Sequence, residues 1–223
     1  MTLYIDARTT YSKIIANGEK LNFQPVKEEN SFSYYIIPSK EIPFLNLKFK
    51  KSCGHMFLDK NSENEIIALA RGCKNCIESD SIILDLGSRD AKWIRFKSGK
   101  FKDMDWNTSC ASSTGATVEM LIKFYDLNLG NLKFNPEKYN VTCGIFGFEK
   151  IMDDISKGVN SAEAVSKFIH GIAFNAWNFA KKPEKIYLSG GFCSNECFVN
   201  SLENYCKVIK LGRFKLCEGL IDE

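Results

Sequence analysis

The sequence predicts an α/β fold of two small duplicated lobes, each with a hairpin-containing mixed sheet, joined by connecting helices. Three observations carry this. Leu3-Tyr-Ile-Asp6 is an apolar run ending in Asp with Lys13 seven residues on, and Ile82-Ile-Leu-Asp85 repeats it with Lys92 again seven residues after the acid. Segments of helical periodicity follow these hairpins, which favours a mixed sheet over a simple doubly wound one. Lys185-Ile-Tyr-Leu-Ser189 is a further apolar strand, and it runs into Gly190-Gly191.

In chain order, Leu3–Asp6 is the first strand, and Thr10–Ala16, the Asn17-Gly18 turn and Lys20–Phe23 predict a hairpin after it. Pro25, Pro38 and Pro43 interrupt the next stretch, so residues 24–51 are expected as short strands and loops around Phe32–Ile37. Glu63–Cys73 has helical composition, with Gly72 as its stop. The strand ending at Asp85 follows, then a second hairpin, Ala91–Phe96 and Lys100–Met104 about Lys97-Ser98-Gly99. Val118, Leu121, Ile122 and Tyr125 share one face of a helix over 115–125. Two more helices are expected over 146–156 and 161–181, the latter capped by Ser161 with Glu163 in its first turn. Asn195–Cys206 reads as a closing helix. The expected division is an N-terminal lobe, 1–108, with both hairpins, and a C-terminal lobe, 109–223, with the Gly-Gly strand.

At 223 residues and 44% apolar content the chain can bury a substantial core. With 30 basic and 27 acidic residues the net charge of +3 argues for neither a nucleic-acid nor a membrane partner. No apolar run approaches the roughly 20 residues of a membrane helix, and the start has no signal-peptide pattern, so a cytoplasmic protein is expected. Nine cysteines in a reducing compartment are then expected as buried, metal-bound or redox-active thiols, not bridges. The 17 phenylalanines read as core, since no basic cluster accompanies them.

An Asp at the end of a central strand, beside a tight turn of hydroxylic and glycine residues, is a device for holding a metal-bound phosphate. The carboxylate holds Mg²⁺, often through water, while turn amides bind phosphate oxygens. Two such devices can face each other. Asp6 and Asp85 are the acids, Thr9, Thr10, Gly87 and Ser88 the turn residues, and Gly190 and Gly191 permit close approach of a nucleotide. Lys13 and Lys92 either contact phosphate or pair with the carboxylates.

Asp85-Leu-Gly-Ser-Arg-Asp-Ala-Lys92, Asp105-Trp-Asn-Thr-Ser-Cys110-Ala-Ser-Ser-Thr-Gly115, Cys143-Gly-Ile-Phe146 and Ser189-Gly-Gly191-Phe-Cys-Ser-Asn195 occur in this order. In it the chain resembles the actin, hexokinase and heat-shock ATPase superfamily (ribonuclease H-like fold), and within it the 2-hydroxyacyl-CoA dehydratase activators and benzoyl-CoA reductase ATPase subunits. The resemblance runs from about Cys53 almost to the end and in outline back to Leu3. It implies an ATPase using Mg²⁺ in anaerobic metabolism, with Thr114, Gly115, Glu119 and Asn195 joining the nucleotide site. Glu119 is either that acid or an exposed helical Glu. It further implies that Cys110 and Cys143 each give a thiolate to one [4Fe-4S] cluster held across a homodimer. Both precede predicted helices, whose amino termini favour negative charge. A low-potential ferredoxin or flavodoxin would donate the electron, and nucleotide-driven motion would pass it to a dehydratase or related reductase.

The chain departs from that pattern at five residues. Arg8 stands where the family has glycine, and a guanidinium there either binds phosphate or fills its space. Arg89 replaces the glutamine expected to position water, Ser113 replaces a glycine, and Phe148 and Lys150 replace acids. These keep open a non-hydrolysing nucleotide- or cluster-binding relative. A small-molecule kinase of the same fold is the other class, but the chain has no room for a sugar-binding insertion. Cys73, Cys76, Cys193 and Cys197 have zinc-like spacing without characteristic flanks, Cys53, Cys206 and Cys217 read as core or surface thiols, and His170 as a packed residue.

Overall fold

The computed structural model describes residues 1–56, 60–107, 115–141 and 144–221. Its strands are β1 (Thr2–Asp6), β2 (Tyr11–Asn17), β3 (Lys27–Glu29), β4 (Phe32–Pro38), β5 (Lys51–Cys53), β6 (Ser81–Leu86), β7 (Ala91–Lys97), β8 (Lys100–Asn107), β9 (Lys185–Gly190) and β10 (Lys207–Gly212). Its α-helices are α1 (Glu65–Cys73), α2 (Gly115–Phe124), α3 (Gly144–Ser156), α4 (Ser161–Phe179), α5 (Glu196–Glu203) and α6 (Lys215–Glu218). Among the described residues the strands form two five-stranded mixed sheets, in the orders β3-β4-β2-β1-β5 and β10-β9-β6-β7-β8. No helix among them is long and apolar enough to cross a membrane.

The chain divides into two compact units, Met1–Ile77 with Arg213–Glu223, and Glu78–Gly212. The division expected after residue 108 is therefore displaced. β9 pairs with β6, β6 with β7 and β7 with β8, so the second hairpin belongs with the Gly-Gly strand and not with the first hairpin.

In the first unit β1 pairs antiparallel with β2 and parallel with β5, and one core gathers Leu3, Ile5, Ile14, Ala16, Tyr35 and Ile37. The hairpin turns at residues 7–10, and β2 then pairs with β4. Residues 20–23 form no strand, so Asn17-Gly18 ends β2 instead of turning a hairpin onto them. α1 is capped by Asn64, whose Oδ1 accepts from the Ile66 and Ile67 amides. Gly72 does not stop this helix. A Cβ there would lie 1.8 Å from Lys215 O, and one on Gly219 1.8 Å from Ala68 O, so both glycines let α1 and α6 pack backbone to backbone.

In the second unit all six residues of β6 are buried, as suits a central strand covered on both faces. α4 contributes Val165, Phe168, Ile169, Ile172 and Ala173 to the same core. Its N-cap is Asn160, which accepts from Ala162 N, so Ser161 is the first helical residue and not the cap. The expected closing helix is shorter than predicted. Asn195 caps α5, which ends at Glu203, and Lys207–Gly212 forms the edge strand β10, parallel to β9. The β-branched pair Val208-Ile209 was its sequence signal.

Candidate functional site

The seven-residue spacing from Asp to Lys is a hairpin register. Asp6 lies opposite Lys13 and Asp85 opposite Lys92, with a four-residue turn between each pair of strands. In both hairpins the lysine Nζ stands 3.7 Å from a carboxylate oxygen. All four side chains are buried. Both lysines thus pair with their acids.

The duplication extends beyond what the sequence reading recognised. β5 runs parallel to β1 and sets Cys53 opposite Asp6, while β9 runs parallel to β6 and sets Ser189 opposite Asp85. A glycine follows each, Gly54 at φ +95° and Gly190 at φ +94°. A Cβ would come within 2.2 Å of Ala7 O at the first and 2.4 Å of Leu86 O at the second. Each glycine is therefore dictated by the carbonyl of the residue just after the acid. Farther on, Asn64-Glu65 opens α1 and Asn195-Glu196 opens α5, each Asn accepting amide hydrogen bonds as an N-cap. The repeated Asn-Glu pair and the Cys-Gly after β5 were the available signals.

The two hairpins differ in what surrounds the acid. In the first, Arg8 Nε donates to Asp6 Oδ1 at 2.6 Å and its other end reaches Glu65 Oε2 at 3.1 Å. The Cys53 thiol donates to the same Asp6 oxygen at 3.7 Å, and burial, with Asp6 next, holds its pKa well above the usual thiol range. Arg8 is itself buried, so it fills this turn. Thr9 is exposed and hydrogen-bonded to His55 Nε2 at 2.9 Å, and Thr10 is half-buried. These groups do not fit a metal at Asp6, because a guanidinium already occupies the carboxylate oxygen a cation would use.

In the second hairpin Lys92, with no exposed surface, stands between two acids, Asp85 at 3.7 Å and Asp90 at 2.9 Å, and lies over the Trp106 ring. Trp106 Nε1 also donates to Asp90 at 2.8 Å. Asp90 escaped the sequence reading. Gly87 and Ser88 are half-buried in the turn, and their carbonyls accept from the amides of Gly115 and Ala116 at the start of α2. A Cβ on Gly115 would lie 3.1 Å from Gly87 O, so this glycine lets helix and turn meet. Gly191 faces open space, and Ser189 Oγ, wholly buried, has no hydrogen-bond partner among the described residues. An orphaned hydroxyl beside a buried carboxylate, with open space two residues on at Gly191, fits a hydrated cation or phosphate.

Arg89 is exposed and Glu119 half-buried on α2. The Asn195 side-chain oxygen is engaged as a cap, accepting from Phe198 N at 3.0 Å. Cys110, Cys143 and Thr114 lie outside the described residues, as does Ser113. The four thiols of zinc-like spacing fall in different units, Cys73 and Cys76 in the first, Cys193 and Cys197 in the second. Cys193 donates to Leu188 O and Cys197 to Lys133 O, and burial raises the Cys193 pKa to about 11. Among the described residues no group of three or more His, Cys, Asp or Glu is arranged to hold a metal ion. His170 is packed, its ring nitrogens hydrogen-bonded to Asn135 O and the Tyr205 hydroxyl.

No protein-family model matches the sequence. The chain is 25% identical over 155 residues, 65% of its length, to the activator of lactoyl-CoA dehydratase of Anaerotignum propionicum. It spans 50–60% of the length of this and two other curated relatives it matches. In fold it is similar to the activator of the 2-hydroxyisocaproyl-CoA dehydratase from Clostridium difficile, solved with bound ADPNP, at a TM-score of 0.76 and 20% identity, covering 98% of this chain and 92% of that one. Component A of the Acidaminococcus fermentans (R)-2-hydroxyglutaryl-CoA dehydratase matches at a TM-score of 0.74 and 18% identity, covering 98% and 95%.

Proposed function

From the premise that this chain is an actin-fold relative of the 2-hydroxyacyl-CoA dehydratase activators, we propose that it is an ATP-dependent, iron-sulfur electron donor to a 2-hydroxyacyl-CoA dehydratase or a related reductase. The observation that carries the reading is the paired Asp–Lys hairpin, each closed by a parallel strand and a glycine at positive φ. ATP with Mg²⁺ would supply the binding energy that drives motion, and a [4Fe-4S] cluster the low-potential electron. Within the second unit, Asp85 holds Lys92, the Gly87-Ser88 turn is fixed against α2, and Gly191 leaves room for phosphate.

In the sequence Cys110 precedes α2 and Cys143 directly precedes α3. One chain then offers two ligands to a cluster that takes four, which calls for a homodimer. A ferredoxin or flavodoxin is the donor in this scheme, and the protein works in the cytoplasm.

Anaerobic purification with iron and sulfide analysis tests it. Wild type is expected to carry about four iron and four sulfide per pair of chains, and Cys110→Ser or Cys143→Ser to lose them. Iron-free wild type after reconstitution overturns the reading. A second reading, nucleotide binding without hydrolysis, is favoured by the contact of Arg8 with Asp6. Cluster-loaded protein that binds ATP but does not hydrolyse it would establish that alternative.

A further inference from the structure

Asp6 and Asp85 stand at the carboxyl ends of equivalent strands, Asp85 one residue before the end of β6, pair with equivalent lysines, and are each followed by a residue whose carbonyl meets an equivalent glycine. The first has a guanidinium on its carboxylate, and that guanidinium is fastened at its far end by Glu65. Glu65 is the counterpart of Glu196. The latter lies at the surface with its side chain 65% exposed and pairs with Lys210, whereas the Glu65 side chain is 7% exposed and turned onto Arg8. Two carboxylates, Asp6 and Glu65, are thus met by two cations, Arg8 and Lys13, in one buried group.

We propose that Arg8 is an internal cation occupying the metal-binding face of Asp6, so that the chain handles metal-bound nucleotide through Asp85 and not through Asp6. This rests on the nucleotide-binding reading above. The Arg8 contacts to Asp6 and Glu65 are charge-assisted hydrogen bonds, and moving Arg8 away would take the guanidinium from two buried acids at once. The substitution of arginine for glycine is then tied to the inward turn of Glu65. The two residues form one device.

The test is Mn²⁺ binding to the ATP complex of the full chain, followed by electron paramagnetic resonance, for wild type, Arg8→Gly, Arg8→Gln and Arg8→Lys. Removing the positive charge, in Arg8→Gly or in Arg8→Gln, is expected to tighten Mn²⁺ binding by about tenfold. Gln keeps a donor for Asp6 and so serves where the glycine variant does not fold. Arg8→Lys, which keeps the charge, is expected to stay within about twofold of wild type. Mn²⁺ affinity unchanged in folded Arg8→Gly and Arg8→Gln overturns the proposal, as does equal tightening in Arg8→Lys. Failure of all four proteins to bind ATP, with or without metal, overturns the nucleotide reading instead.

Discussion

The first and second hairpins share their spacing, their register and a 3.7 Å contact between lysine and acid, yet they neutralise that acid differently. In the first, charge comes from the turn itself, where Arg8 folds back onto Asp6 and is anchored by Glu65. In the second, the turn arginine, Arg89, points to solvent, and Lys92 is shared between Asp85 and Asp90 under the Trp106 ring. A duplicated backbone therefore fixes where a carboxylate sits, while single residues in the turn and on the following helix decide what it can bind.

The largest effect should come from stranding the buried acids. Lys92→Met leaves Asp85 without its ammonium and Arg8→Met leaves Asp6 and Glu65 without their guanidinium, and each is expected to cost about 3–5 kcal/mol in urea unfolding. If Arg8→Met costs far less, the closed first hairpin described here is wrong. Next, Gly54→Ala and Gly190→Ala should destabilise comparably, by about 3 kcal/mol, since each would force a Cβ onto a carbonyl at positive φ. Thermal melts that show only one of them sensitive would break the equivalence of the two parallel strands. Smaller again, Asn64→Ala and Asn195→Ala each remove an N-cap and should cost about 1 kcal/mol, with Asp tolerated at either site. An Asn195→Ala protein of unchanged stability would return Asn195 to the ligand role inferred from its sequence. Smallest of all, Arg89→Met should lie within about 0.5 kcal/mol of wild type, in contrast with Arg8.

Much of this was legible in the chain. Apolar runs ending in Asp located β1 and β6, and the Lys seven residues on turned out to be the cross-strand partner of each acid, although the turns were expected one strand later, about Asn17-Gly18 and Ser98-Gly99. The helical stripe of Val118 and Leu121 located α2. The Gly-Gly strand was found, but its role was half understood. Gly190 is required by Leu86 O, and only Gly191 faces open space. Gly72 was mistaken for a helix stop because a close helix crossing leaves no local signature in one strand of text. Residues 20–23 offered apolar side chains, yet β2 found its partner in β4, whose aromatic run buries more surface.

The sequence by itself determined the repeated units, the acids and lysines at their centres, and the caps that start α1 and α5, since each depends on neighbours a few residues away. Tertiary structure alone decided which hairpin is closed. Arg8 and Glu65 lie 57 positions apart in the chain, and only the folding of the first unit, with the start of α1 at the first turn, brings their charges to 3.1 Å in a place where burial makes that contact matter.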